Sequence, residues 1–154
     1  MKAGEYTNEE VAVYKNILIA TDGSELATNA AKHGVGLARC LNAKVTVVTV
    51  TLPYHWFPGM TPNMAGAYTQ GQNRVAVTDL NAVSELAKSA GVEVEAVHAE
   101  GEHPYKVIIE TAKAKHCDII AMGSHGRGGI AAAILGSETN KVLTHSTIPV
   151  LVCD

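Results

Sequence analysis

Lys15-Asn16-Ile17-Leu18-Ile19-Ala20-Thr21 is a short apolar run, and it stops at Asp22-Gly23-Ser24. A run of that length bounded by turn residues reads as a buried strand followed by a turn. Ser24 suits the N-cap of the next segment. From Glu25 to Leu41, the residues Ala27, Ala30, Ala31, Gly34, Leu37, Ala38 and Leu41 recur at helical spacing, so one face of a helix turns inward. Val45 to Val50 is β-branched throughout and reads as a second strand, apolar on both sides and therefore covered on both. A strand, a helix and a second buried strand in that order open a parallel α/β sheet.

The rest of the chain continues the alternation. Residues 52 to about 72 hold three prolines and three glycines and are expected to form a long loop. Arg74 to Ala90 reads as a helix closed by Gly91, with Ala76, Leu80, Val83, Leu86, Ala87 and Ala90 on one face. Val92 to Ala96 alternates, as a half-exposed edge strand does. Pro104 opens a helix to about His116, Asp118 to Met122 is a fourth strand, Gly136 to Thr144 a last helix, and Pro149 to Cys153 a final strand. The expected class is α/β, a mostly parallel sheet with helices on both faces. In such sheets ligands bind beyond the carboxyl ends of the strands, where the strand order reverses.

Composition narrows the function. The 154 residues make one domain, with residues 1–13 as a polar, acidic extension and the domain running over 14–154. With 12 basic and 15 acidic residues and no basic run, a nucleic-acid or anionic-membrane surface is not expected. The uncharged stretch from Val45 to Asn73 contains three prolines and is no membrane span. Nothing at the N-terminus reads as a secretory signal, and Cys40, Cys117 and Cys153 are scattered, so reduced thiols in a cytoplasmic protein are expected. The seven histidines follow no metal-ligand spacing. Four of the seven aromatic residues, Tyr54, Trp56, Phe57 and Tyr68, fall in the expected loop, which suggests a lid, a partner-facing patch, or a loop tucked on its own domain.

The segment richest in chemistry is Gly123-Ser124-His125-Gly126-Arg127-Gly128-Gly129, with Gly136-Ser137 ten residues beyond Gly126. Glycines allow tight turns and close approach of a ligand, and successive N–H groups make a nest for anionic oxygens. The start of the last helix adds amides and a partial positive charge. The alternative is an ordinary glycine-rich turn. The segment is neither a P-loop, lacking Gly-Lys-Ser/Thr, nor a dinucleotide fingerprint after the first strand. Valine at Gly126 or Gly136 is expected to fill the phosphate space and leave the fold intact.

Gly123, two residues, Gly126, nine residues, then Gly136-Ser137 matches G-x2-G-x9-G-[S/T], and the chain here resembles the universal stress protein family in its ATP-binding, UspA-like subgroup. The likeness extends to Ile17–Ser24, Ala121–Gly126 and Pro149–Val152. It implies a Rossmann-like fold of the adenine nucleotide α-hydrolase-like type, five parallel strands in the order 3-2-1-4-5. It also implies bound ATP or AMP, with Mg2+ as an ion brought by the nucleotide. Asp22 matches the acid that contacts the ribose, although a helix N-terminal Asp accounts for it equally. Ala20 and Thr21 would line the adenine side, and the Val50 backbone would pair with the base. Met122 would pack near the sugar, and Gly123, Gly126, Gly136 and Ser137 would hold the phosphates. His125 and Arg127 could approach a γ-phosphate, with a solvated loop charge as the plainer account of Arg127.

The resemblance further implies a homodimer through Pro149 to Cys153, an edge that is otherwise an aggregation hazard. An unknown regulatory protein is a further candidate partner. No residue stands out as a positioned base, so a nucleotide-dependent regulatory module is expected, with a slow ATPase or nucleotidyl-transfer enzyme as the alternative.

Overall fold

The structure, a computed structural model, describes residues 14–126 and 135–154. Five parallel strands form one sheet: β1 (Asn16–Ala20), β2 (Lys44–Thr51), β3 (Val94–Glu100), β4 (Ile119–Gly123) and β5 (Val150–Cys153). Their order is β3-β2-β1-β4-β5, as expected from the resemblance. Among the described residues four helices cover it: α1 (Glu25–Leu41), α2 (Pro62–Ser89), α3 (Pro104–Ala114) and α4 (Ser137–His145).

The apolar run at the N-terminus becomes the central strand because both of its faces are apolar. All five residues of β1 are buried, and Ile17 pairs with Val45 on one side and Ile119 on the other. Successive side chains alternate across a sheet. Ile17 and Ile19 therefore join one core with Ala31, Val35 and Ala38 of α1 and Leu80, Val83 and Ala87 of α2. Leu18 and Ala20 join the opposite core with Ile108, Ile109 and Ala112 of α3 and Val142 of α4. Each Val, Leu or Ile among them, fully buried, contributes about 1.5–3 kcal/mol, and aliphatic residues fill both layers almost without aromatics.

Polar groups lock the start of the central strands. The Asp118 carboxylate accepts the N–H of Lys15 and of Asn16, and Asn16 Nδ2 donates to the Lys115 carbonyl. Thr46 donates to Asn16 Oδ1 at 3.1 Å, so the buried amide is satisfied.

Two boundaries depart from the sequence reading. The expected loop over 52–72 is shorter: α2 begins at Pro62, not Arg74, and Tyr68 stands on the helix. Thr61 caps it by accepting the N–H of Met64, and proline fits the first turn. Periodicity missed those turns because they bury nothing; the first buried residue of α2 is Ala76. The strand read at Val92–Ala96 is instead Val94–Glu100, an edge strand in which Val94, Val97 and Ala99 are half-buried and the rest exposed, and it runs further because it follows β2 to its end.

All three cysteines are free thiols, Cys40 exposed and the other two buried. Burial raises the Cys117 thiol pKa, with Asp118 adding to the shift and a Thr46 hydrogen bond opposing it; burial and then Asp154 raise that of Cys153. Among the described residues no helix is long and apolar enough to cross a membrane.

Candidate functional site

The chain leaves β1 toward one face of the sheet and β4 toward the other, because α1 packs on the first core and α4 on the second. The carboxyl ends of these two neighbouring strands therefore face a crevice. The segments that enter it are Thr21–Ser24 and Gly123–Gly126.

The β1 turn is held by its own polar groups. Thr21 is buried, donates its N–H to the Val48 carbonyl at 2.9 Å and accepts the Gly23 N–H on Oγ1. Gly23 has φ +73°, a conformation that suits glycine. Asp22 Oδ1 accepts the Ser24 N–H at 3.0 Å, and Ser24 Oγ caps α1 by accepting the N–H of Ala27. Both the dipole-stabilised and the ligand-binding reading of Asp22 stay compatible with this turn, since its second carboxylate oxygen points at the other segment: a Cβ on Gly126 would stand 2.6 Å from Asp22 Oδ2.

The β4 segment is held from three sides. Ser124 donates its N–H to the Cys153 carbonyl, and its own carbonyl accepts the Gly136 N–H at 2.8 Å. Thr139, buried in the first turn of α4, donates its hydroxyl to the Gly123 carbonyl at 2.9 Å. Ser124 Oγ lies 3.0 Å from His125 Nδ1. The glycines thus meet across thirteen residues of sequence, and they do so at close range. A Cβ on Gly136 would lie 3.0 Å from the Ser124 carbonyl oxygen, and one on Gly123 would lie 3.0 Å from the Leu26 backbone. The expectation that valine at Gly136 leaves the fold intact is therefore replaced: that side chain would strike backbone, not open space. At Gly126 the obstacle is a carboxylate that can turn away.

The helix ends differ in what claims their amides. Ser24 takes an amide of α1 and Thr61 one of α2, while Glu138 on α4 reaches across to accept the Tyr105 N–H of α3 at 2.8 Å. The N-cap of α4 is Gly136, which has no side chain to give. Its first turn, which includes Ser137, opens beside the β4 segment with Glu138 drawn off toward α3 and Lys141. The crevice thus pairs a carboxylate, which accepts from hydroxyls, with helix amides, which donate to anions.

The remaining expected residues are gathered by packing. Ala20 and Met122 are buried in the α3–α4 core and Val50 packs against it. Val50 lies next to Ala99 in the register. Arg127, with Gly128 and Gly129, lies outside the described residues. Of the aromatic group, Tyr54 and Tyr68 touch with ring centres 6.1 Å apart, while Trp56 and Phe57 are exposed. Sequence reasoning passed over Ser124, Glu138 and Thr139. Thr139 carried a signal, a small hydroxyl residue three positions after a helix-opening glycine; the other two depend on partners far along the chain.

Comparisons with known proteins agree with this fold. Universal stress protein MJ0531 of Methanocaldococcus jannaschii is 32% identical over 143 residues, covering 91% of this chain and 82% of that protein. The fold is similar to that of a universal stress protein crystallised with cAMP, at TM-score 0.70 and 24% identity over 92% of this chain and 98% of the other. It is also similar to an Arabidopsis thaliana universal stress protein family protein with AMP bound, at TM-score 0.64 and 17% identity over 90% of each chain. The sequence profile of the Universal stress protein family matches residues 13–154, and the chain belongs to that family.

Proposed function

We propose that this protein binds an adenine nucleotide, ATP or AMP, in the crevice between β1 and β4 and acts as a nucleotide-dependent regulatory module of the stress response. The observation that carries the reading is the α4 N-terminus, whose cap is a glycine, standing beside the segment that meets Asp22. A nucleotide has hydroxyl donors at one end of its ribose and anionic oxygens at the phosphates, and the crevice offers the matching acceptor and donors.

In this reading Asp22 accepts the ribose hydroxyls. The backbones of Gly123, Gly126 and Gly136 and the hydroxyl of Ser137 hold the phosphates, and Arg127 supplies positive charge. Ala20, Thr21, Met122 and the Val50 backbone bound the base. Magnesium arrives on the nucleotide and shields its charge. The structures with cAMP and AMP are relatives in fold and support the class of ligand. The protein is read as cytoplasmic, and as a homodimer through β5, whose short apolar edge has, among the described residues, no neighbouring strand on its outer side.

Isothermal titration of the purified chain with ATP, AMP and cAMP tests this, together with mass spectrometry of any nucleotide it carries through purification. Heat of binding for at least one of the three is expected. Absence of heat for all three overturns the reading. Turnover at ordinary enzyme rates, abolished by His125→Ala, overturns the view that the site binds without catalysis.

A further inference from the structure

The first half of α2 has no part in the crevice. From Pro62 to Val75 nothing is buried, along about 21 Å of helix at 1.5 Å per residue. The segment includes Gly66 and Gly71, the poorest helix formers after proline, and has no acidic residue in its first turn. A helix of that length without a packed face is marginal in water. It sits beside an apolar surface: of nine exposed large apolar side chains among the described residues, five lie between Leu52 and Tyr68, Trp56 and Phe57 among them. Singly scattered exposed apolar residues are ordinary, but a cluster is not.

The spacing on the helix says what fits there. Met64, Tyr68, Gly71 and Val75, all exposed, follow one another at intervals of four, three and four. That is the d-a-d-a rhythm of a helix packed against another helix. When such a helix meets an antiparallel copy, each a position faces a d position. Here Tyr68 faces Gly71 and Met64 faces Val75, and a single two-fold axis relates both layers. The large ring of each copy lies over the position that has no side chain. Charge agrees with the same occupant. From Pro62 to Val75 the one charged residue is Arg74, which this register sets opposite Ala65 of the other copy, so the two-fold contact brings no like charges together.

We propose that a second copy of this chain docks on the first half of α2, antiparallel about a two-fold axis, with Tyr68 of each copy over Gly71 of the other. Because α2 packs over β2 and β3, this contact lies toward the edge of the sheet opposite β5. It does not depend on the nucleotide reading, and it can coexist with pairing of β5 edges.

The test uses the full chain. Sedimentation velocity compares the wild type with Met64→Glu combined with Tyr68→Glu, and a twofold fall in assembly mass is expected. Both side chains are exposed, so thermal unfolding of the domain stays close to that of the wild type. Cross-linking reads the register directly. In a Cys40→Ser background, a Tyr68→Cys chain mixed with a Gly71→Cys chain is expected to oxidise to a covalent dimer at least tenfold faster than either chain alone. An unchanged mass with no excess of the mixed cross-link overturns the proposal. So does binding of the wild type to phosphatidylcholine vesicles that the glutamates abolish while the mass stays the same, which would assign the patch to a lipid surface.

Discussion

Two helices follow neighbouring strands, α1 starting at Glu25 after β1 ends at Ala20 and α4 starting at Ser137 after β4 ends at Gly123, and they begin differently. The start of α1 is closed by local chemistry: Asp22 accepts the Ser24 N–H and Ser24 accepts the Ala27 N–H. The start of α4 is positioned through groups far along the chain, the Ser124 carbonyl, which accepts the Gly136 N–H, and the Gly123 carbonyl, which accepts the Thr139 hydroxyl, and its cap residue is a glycine. A side chain close in sequence takes one amide of α1, the Ala27 N–H, whereas α4 has a glycine cap and, among the described residues, no side-chain cap hydrogen bond. Ser24 has a structural task in the α1 cap, and the proposed function gives Ser137, which likewise follows a glycine at a helix start, the task of binding.

The largest expected effect comes from Gly136→Val. Its Cβ would press on the Ser124 carbonyl at 3.0 Å, so α4 must shift. Overpacking of this kind costs about 1–3 kcal/mol, and nucleotide binding is expected to fall below detection by titration calorimetry. Gly126→Ala is the control, since the Asp22 side chain can rotate to make room. Urea unfolding should show it close to the wild type, with affinity reduced. Equal destabilisation by both substitutions would break the contrast between backbone and side-chain obstacles.

Next in size is Asp22→Asn. A hydrogen bond to a charged group contributes about 1.5–3 kcal/mol, so ATP affinity is expected to fall roughly tenfold or more. The loss should nearly vanish for a nucleotide without ribose hydroxyls, measured by titrating 2′,3′-dideoxy-ATP in parallel. An equal loss for both ligands would assign Asp22 to the turn alone.

The serines separate the two helix starts most directly. Ser24→Ala removes a cap and should cost about 0.5–2 kcal/mol in chemical denaturation while leaving affinity nearly unchanged. Ser137→Ala should leave stability within about 0.5 kcal/mol and weaken nucleotide binding several-fold. Reversal of the two outcomes would mean that the open helix end is α1.

The smallest effect sharpens the charge balance. Glu138→Gln keeps an oxygen for the Tyr105 N–H but removes a negative charge from the first turn of α4. Affinity for ATP should rise by a factor of a few at low salt, in line with about 0.3–1 kcal/mol for a charge at a helix end, and the gain should shrink as salt is added.

Much of this molecule was legible without coordinates. The central strand announced itself through Ile17 to Ala20, because a strand covered on both faces must be apolar at every position. The helices α1, α3 and α4 followed from spacing, proline and glycine. What failed was the first half of α2, since a reading based on apolar periodicity detects only the helices that bury a face. The glycines of the crevice were visible, but the close packing at one of them was not. Gly136 is needed where two backbone segments meet, and that meeting is made by Ser124, Cys153 and Thr139, none of which the motif singles out.

The sequence by itself determined the class of fold, the strand that lies at its centre and the segments that reach the crevice, because period, turn residues and glycine spacing are local properties. Only the tertiary structure decided which groups anchor the start of α4, which oxygen stands against Gly126, and that the uncharged stretch after β2 rises into a bare helix. Those outcomes depend on hydrogen bonds and contacts between residues far apart in the chain, such as Tyr105 with Glu138 and Ser124 with Cys153, and no local pattern encodes them.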